Sequence, residues 1–223
     1  MTLDAAPVSA PEGARVILAT HNRKKLEELR RILAEQVPAL DADDAERLVI
    51  SAAGIDLPDV VEDDVTFEGN ALKKARAAAE ATGLIAVADD SGLAVDVLGG
   101  SPGIFSARWS GRHGDDEANN ALLLAQLADV PAEHRGAAFV CAAALVAPDG
   151  SERVEIGRMS GHLLTSPRGD GGFGYDPLFV PDGEDRTAAE LTPGEKDAIS
   201  HRGAAFRALA RVLGALLEES AEA

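Results

Sequence analysis

Residues 84–93 read Leu-Ile-Ala-Val-Ala-Asp-Asp-Ser-Gly-Leu, an uncharged apolar run that stops at two adjacent carboxylates. A short apolar run of this kind predicts a buried strand, of the sort that fills the middle of a layered α/β sheet. Ionised side chains are costly to leave in such a core. The pattern therefore predicts that Asp89 and Asp90 leave it at the strand's end, with Gly92 making the turn. Strand ends are where open α/β proteins set their reactive groups. Neighbouring carboxylates repel unless a proton or a cation intervenes, and a hard divalent cation such as magnesium takes oxygen ligands. Most Asp-Asp pairs are acidic surface turns, so the meaning of this one depends on the rest of the chain.

Charge narrows the partners. With 21 basic and 38 acidic residues the formal charge is −17, which repels nucleic acid polymers and anionic membranes. A small phosphorylated ligand stays compatible if its site gathers cations. The single cysteine, Cys141, allows no intrachain disulfide and suits a reducing cytoplasm. It sits in the apolar run 138–146 and reads as a core filler. No apolar stretch approaches a membrane span, and the N-terminus lacks the basic start and long apolar region of a signal peptide.

The predicted organisation is a flexible leader over residues 1–13 and a single domain over 14–220. A strand at 15–19 leads into a helix at 23–36 capped by Asn22. An acidic, irregular section over 40–64 holds a strand at 48–51. Thr66–Asn70 opens an alanine-rich helix that stops at Gly83. After the acidic turn come the stretch 93–98 before Gly99-Gly100, a loop over 101–114 and a helix over 115–129. Strands at 137–147 and 152–161 flank the hairpin turn Pro148-Asp149-Gly150-Ser151. A final helix runs from His201 to about Glu219. Alternating helices and strands followed by a hairpin predict an α/β fold with a mixed sheet.

Four further segments carry chemistry. Thr20-His21-Asn22-Arg23-Lys24-Lys25 occupies a strand-to-helix junction, an anion-binding geometry strengthened by three consecutive cations. It is not a Walker loop, and a solvated helix start is an equal reading. Glu62-Asp63-Asp64 precedes the alanine-rich helix, whose first turns carry Lys73 and Lys74. Glu62 offers a second carboxylate to a metal at Asp90, although a solvated acidic loop is the plainer meaning. Gly169-Asp170-Gly171-Gly172-Phe173-Gly174-Tyr175-Asp176-Pro177 concentrates glycines and two rings in a chain with 4% aromatics. Glycines let backbone approach a ligand, and rings offer a stacking surface for a base; core aromatics in a glycine-rich loop are the alternative. Lys196 and Ser200-His201-Arg202 complete the set. Ser200 reads as an N-cap, and cations in the turn after it oppose the helix dipole, which hints at another purpose.

In this order, Ala88-Asp89-Asp90-Ser91-Gly92-Leu93, Gly172-Phe173-Gly174-Tyr175-Asp176-Pro177 and Ser200-His201-Arg202 resemble the Ham1/RdgB family of non-canonical purine nucleoside triphosphate pyrophosphatases, over about Val16 to Leu216. The resemblance implies an elongated mixed sheet flanked by helices, two lobes with an active-site cleft between them, and a cytoplasmic homodimer. It implies magnesium-dependent hydrolysis of ITP, dITP and XTP to monophosphate and diphosphate. By motif, Thr20, Asn22, Lys25 and Lys74 look like triphosphate contacts, His21, Arg23 and Lys24 beside them count as substrate-binding, and Glu62 and Asp90 look like metal ligands. Asp90 looks like the proton acceptor, with Ser91 beside it at the substrate. Phe173, Gly174, Tyr175 and Asp176 look like the nucleotide loop, and Lys196, His201 and Arg202 like base contacts. Gly69 stands where many relatives carry an acid. The rival resemblance, a Maf-type pyrophosphatase acting on pyrimidine or modified nucleotides, lacks the Ser-His-Arg and Phe-Gly-Tyr-Asp elements; a non-catalytic nucleotide-binding regulator is the reading from another class.

Overall fold

The computed structural model describes residues 10–20, 23–37, 47–52, 55, 57 and 59–222. Most of the leader (1–9), His21, the Asn22 cap and the acidic stretch 41–46 lie outside the described residues, as do the side chains of Arg23 and Lys24.

One six-stranded sheet has the order β2-β1-β3-β4-β5-β6, where β1 is Val16–Leu18, β2 Val49–Ser51, β3 Ile85–Val95, β4 Gly136–Val146, β5 Glu152–Leu163 and β6 Phe179–Pro181. The fully buried β1 runs parallel to both neighbours, with Ile17 opposite Ile50 on one side and Ala86 on the other. β6 pairs antiparallel with β5, His162 opposite Val180. The sheet is therefore mixed. The helices are α1 (Arg23–Gln36), α2 (Phe67–Thr82), α3 (Asp116–Gln126), α4 (Pro193–Ile199) and α5 (His201–Glu222). Among the described residues no helix is long and apolar enough to cross a membrane.

The chain divides into two compact units, one from residues 1–90, 142–156 and 205–223 and the other from 91–141 and 157–204. In the first, α2 buries Ala71, Ala75, Ala78 and Ala79 in a core that includes Ile17, Ala86, Ala88, Ala142 and Ala144. The spacing of four and three puts these alanines on one face, and their small side chains let helix and strand backbones approach closely. Thr66 caps α2 by accepting from the Gly69 N–H, and Gly83 ends it in the left-handed region at φ 68°. The second unit has a bulkier core around Leu93, Val95, Leu123, Phe139, Met159 and Phe179. There the Phe139 and Phe179 rings meet edge to face at 4.8 Å.

The strand expected to stop before Asp89 does not stop. β3 runs unbroken from Ile85 to Val95, through both acids and through Gly92. The physical reason is that both carboxylates find polar partners inside the fold, as described below, so the core does not expel them. Gly92 serves close approach and not a turn: a Cβ there would lie 2.4 Å from the Gly103 carbonyl and from Ser106 Oγ. The helix expected over 115–129 is shorter, because Asp115 is its cap and it ends at Gln126. β6 and α4 were not foreseen; each is brief, and α4 is marked by Thr192 and Glu195, which form a capping box.

Candidate active site

In the first unit, β3 delivers Asp89 and Asp90, only 2% and 9% exposed. Successive side chains of a strand leave opposite faces, so the two acids need not share one partner. Asp89 takes Lys25 of α1, Nζ to Oδ2 at 2.9 Å. Asp90 Oδ2 accepts from Asn70 Nδ2 of α2 at 3.1 Å. One turn of helix brings Lys74 onto the same side as Asn70, where its Nζ meets Glu62 Oε1 at 2.9 Å. Thr20 follows β1, where its N–H turns back onto the Leu18 carbonyl at 2.9 Å.

Burial pushes the Asp90 carboxyl above its ordinary value of 3.8; Lys74 opposes that, Glu62 reinforces it, and Asn70 and Lys25 oppose it more weakly. Asp90 is thus more basic than a surface aspartate, which suits a proton acceptor. Burial works to lower the Lys74 ammonium, yet Asp89, Asp90 and Glu62 outweigh it and hold the group above 10.5. Lys74 stays charged at any physiological pH. A cavity of about 110 Å³ opens beside it, lined by Ala19, Ala52, Leu57, Asp59, Glu62 and Lys74 among others.

Among the described residues no group of three or more His, Cys, Asp or Glu forms a metal cage. Magnesium does not demand one: it commonly takes one or two carboxylates and completes its shell with water and substrate phosphate. Glu62 and Asp90, close enough that Glu62 raises the cost of ionising Asp90, fit that donor set. The neighbouring acids are engaged elsewhere. Asp63 pairs with Lys73, and Asp64 Oδ1 accepts from the backbone N–H and hydroxyl of Thr66 at 3.1 and 3.0 Å. That arrangement explains Gly69, where a Cβ would sit 2.1 Å from Asp64 Cγ.

In the second unit, Ser200 Oγ accepts from the Gly203 N–H at 2.9 Å, the N-cap of α5. Arg202 in the turn after it is 2% exposed and donates from Nη2 to Ser91 Oγ at 3.0 Å. The Phe173 ring is flanked by two cations, Lys196 Nζ at 5.1 Å and the Arg202 guanidinium at 5.6 Å from its centroid. Asp176 Oδ2 accepts from Lys196 Nζ at 2.6 Å and from the Phe173 N–H at 2.9 Å, which ties loop to cation. His201 stacks on Phe139 at 5.0 Å.

The two rings of the loop have different uses. Phe173 is half-buried among cations, whereas Tyr175 is 4% exposed, belongs to the core, and donates its hydroxyl to the Ser106 carbonyl at 2.9 Å. Burial, with a contribution from Asp116, drives its phenol far above the usual range. Sequence reading assigned no role to Asn70 or to the Asp89–Lys25 pair. An asparagine inside an alanine-rich helix was the available signal, since Asn is a poor helix-interior residue.

The model of the Ham1 family matches residues 16–212. A Streptomyces coelicolor protein named dITP/XTP pyrophosphatase is 63% identical over 203 residues, covering 91% of this chain and 98% of that protein. A Mycobacterium tuberculosis protein of the same name is 59% identical over 204 residues, covering 91% and 95%. Among solved structures, the Mycobacterium abscessus nucleoside-triphosphatase / dITP/XTP pyrophosphatase is 55% identical at a TM-score of 0.69, over 89% of this chain and 98% of that one. A HAM1 protein from Coxiella burnetii is 39% identical at a TM-score of 0.78, over 90% and 98%. With a family model spanning most of its length and relatives this similar, the chain belongs to the Ham1 family.

Proposed function

We propose that this protein is a nucleoside triphosphate pyrophosphatase that hydrolyses the non-canonical purine nucleotides ITP, dITP and XTP to monophosphate and diphosphate. The observation that carries the reading is Asp90, a buried carboxylate of raised basicity with the cations Lys25 and Lys74 around it. The names of the relatives, dITP/XTP pyrophosphatase, support the same substrate class.

Asp90 accepts the proton of the water that attacks the α-phosphorus. Lys25 and Lys74 stabilise the charge that gathers on the departing diphosphate, helped by Thr20, His21, Asn22, Arg23 and Lys24, the substrate-binding set that the resemblance implies. Asp89 keeps Lys25 oriented, and Asn70 does the same for the Asp90 carboxylate. Glu62 and Asp90 would hold magnesium, which when bound supplies Lewis acidity and charge compensation for the phosphate oxygens.

On the base side, Lys196 and Arg202 beside Phe173 are donors only. Hypoxanthine and xanthine carry a 6-oxo acceptor where adenine carries an amino donor. Adenine would leave such donors unpaired, a penalty larger than any gain from fit. The test is diphosphate release from a panel of dITP, XTP, ATP, GTP, dTTP and UTP, with magnesium and with chelator. Preference for dITP and XTP that is lost with chelator is expected; preference for dTTP or UTP would favour the Maf-type reading, and no release would favour a binding regulator. We also take the enzyme to act as a cytoplasmic homodimer, as the family resemblance implies, which sedimentation and cell fractionation check.

A further inference from the structure

Gly174 lies between the two rings of the nucleotide loop, outside any strand and in the left-handed region at φ 61°. Glycine gains no rigidity from its own side chain, so the backbone at this residue has to be held by other groups. One helix supplies them on both sides of the residue. The Gly174 N–H donates to Asp116 Oδ2 at 2.7 Å, and the Gly174 carbonyl accepts from Asn120 Nδ2 at 2.9 Å. The first bond holds the 173–174 peptide plane and the second the 174–175 plane, so together they set both backbone dihedrals of Gly174. Those dihedrals decide where Phe173 points relative to Tyr175, which is pinned in the core by its bond to the Ser106 carbonyl.

The support is itself fastened. Asp116 and Asn120 are four residues apart and share a face of α3. Asp115 caps that helix, Leu123 is fully buried, and Asn119 accepts from the Ser110 N–H at 2.7 Å. Asn120 serves little else. Among the described residues the one hydrogen bond of its side chain goes to Gly174, and its buried Oδ1 has no donor. A half-satisfied amide is costly to keep in a protein interior unless the bond it does make matters.

We propose that Asp116 and Asn120 are positioning residues for base recognition: they clamp Gly174 and thereby hold the Phe173 ring against Lys196 and Arg202. The proposal rests on the function proposed above and deepens it, placing specificity in a helix that carries none of the sequence motifs. Neither residue touches the reacting atoms, so the clamp governs binding of the base and leaves the chemical step alone.

The experiment compares the full-length protein with Asp116→Ala, Asn120→Ala and Asp116→Asn. Kinetics with dITP and XTP, inhibition by inosine monophosphate and by diphosphate, and amide exchange over residues 171–176 are measured on each. Loss of one such bond should raise KM and the inhibition constant of inosine monophosphate about 3- to 10-fold, with kcat and the diphosphate constant within about twofold. Exchange at 171–176 should accelerate by a similar factor in both alanine variants. Asp116→Asn keeps an acceptor oxygen and should restore KM. KM unchanged in both alanine variants, or inosine monophosphate and diphosphate weakening together, overturns the clamp. If the unaltered protein hydrolyses no purine triphosphate, the functional proposal fails instead, and exchange at 171–176 still decides whether Asp116 and Asn120 hold the loop.

Discussion

Asn70→Ala tests the site through a residue that contacts both halves of its acidic side. The Asn70 amide donates to Asp90 Oδ2 at 3.1 Å and accepts from the Asp64 N–H at 2.9 Å. It is 1% exposed, so water does not replace either bond. The bond to an ionised carboxylate contributes about 1.5–3 kcal/mol and the neutral one about 0.5–1.5 kcal/mol, so the variant should lose about 2–4.5 kcal/mol at pH 8 without divalent cations. The loss should depend on pH with a definite sign. The folded carboxyl of Asp90 lies above its ordinary value of 3.8, mainly through burial, and Asn70 is one of the groups holding it down. An acid raised by folding costs stability once pH exceeds its unfolded value. Removing Asn70 raises it further, so the extra cost is present at neutral pH and fades as pH falls toward 3.8, where the bond to a neutral carboxyl is worth only about 0.5–1.5 kcal/mol. Urea unfolding of both proteins at several pH values, with chelator, measures the difference. A loss of equal size at pH 8 and pH 4.5, or one below about 0.5 kcal/mol at pH 8, would refute the reasoning.

Asp90→Asn should fold as stably as the parent or more so, since it removes a buried charge, yet lose about 100-fold or more in kcat; full turnover would remove Asp90 from the chemistry. Arg202→Ala should raise KM for ITP more than it lowers kcat, and steady-state kinetics showing the opposite split would place Arg202 at the reacting phosphate. Gly92→Ala drives a methyl to 2.4 Å from the Gly103 carbonyl and Ser106 Oγ, and thermal unfolding should show a loss of about 1–3 kcal/mol. An unchanged melting temperature would mean that the short 3-10 helix Gly103–Arg108 moves aside freely.

Motifs with local causes could be read directly. The alanine-rich helix announced its start at 66–70 and its stop at Gly83, and α1 matched its expected 23–36 span, because start and stop signals and helical periodicity depend on neighbours a few residues away. The hairpin at 148–151 followed from its turn chemistry. Asp90 was singled out because charge next to apolar sequence is visible without coordinates, whereas Glu62 and Lys74 took their expected roles from the family resemblance.

Other outcomes required the folded chain. Whether Asp89 and Asp90 stay in the sheet depends on Lys25, 64 residues away, and on Asn70, 20 residues away; the local pattern, seeing only unpaired charge, expected a turn. Phe173 and Tyr175 look alike in sequence, yet one lies among cations and the other is core, since that choice belongs to Ser106, Lys196 and Arg202. Sequence by itself determined the elements and the chemical inventory, both properties of short range. Tertiary structure alone decided which charges are satisfied and which side chain faces which, because burial and pairing energies depend on partners that only folding brings within a few ångströms.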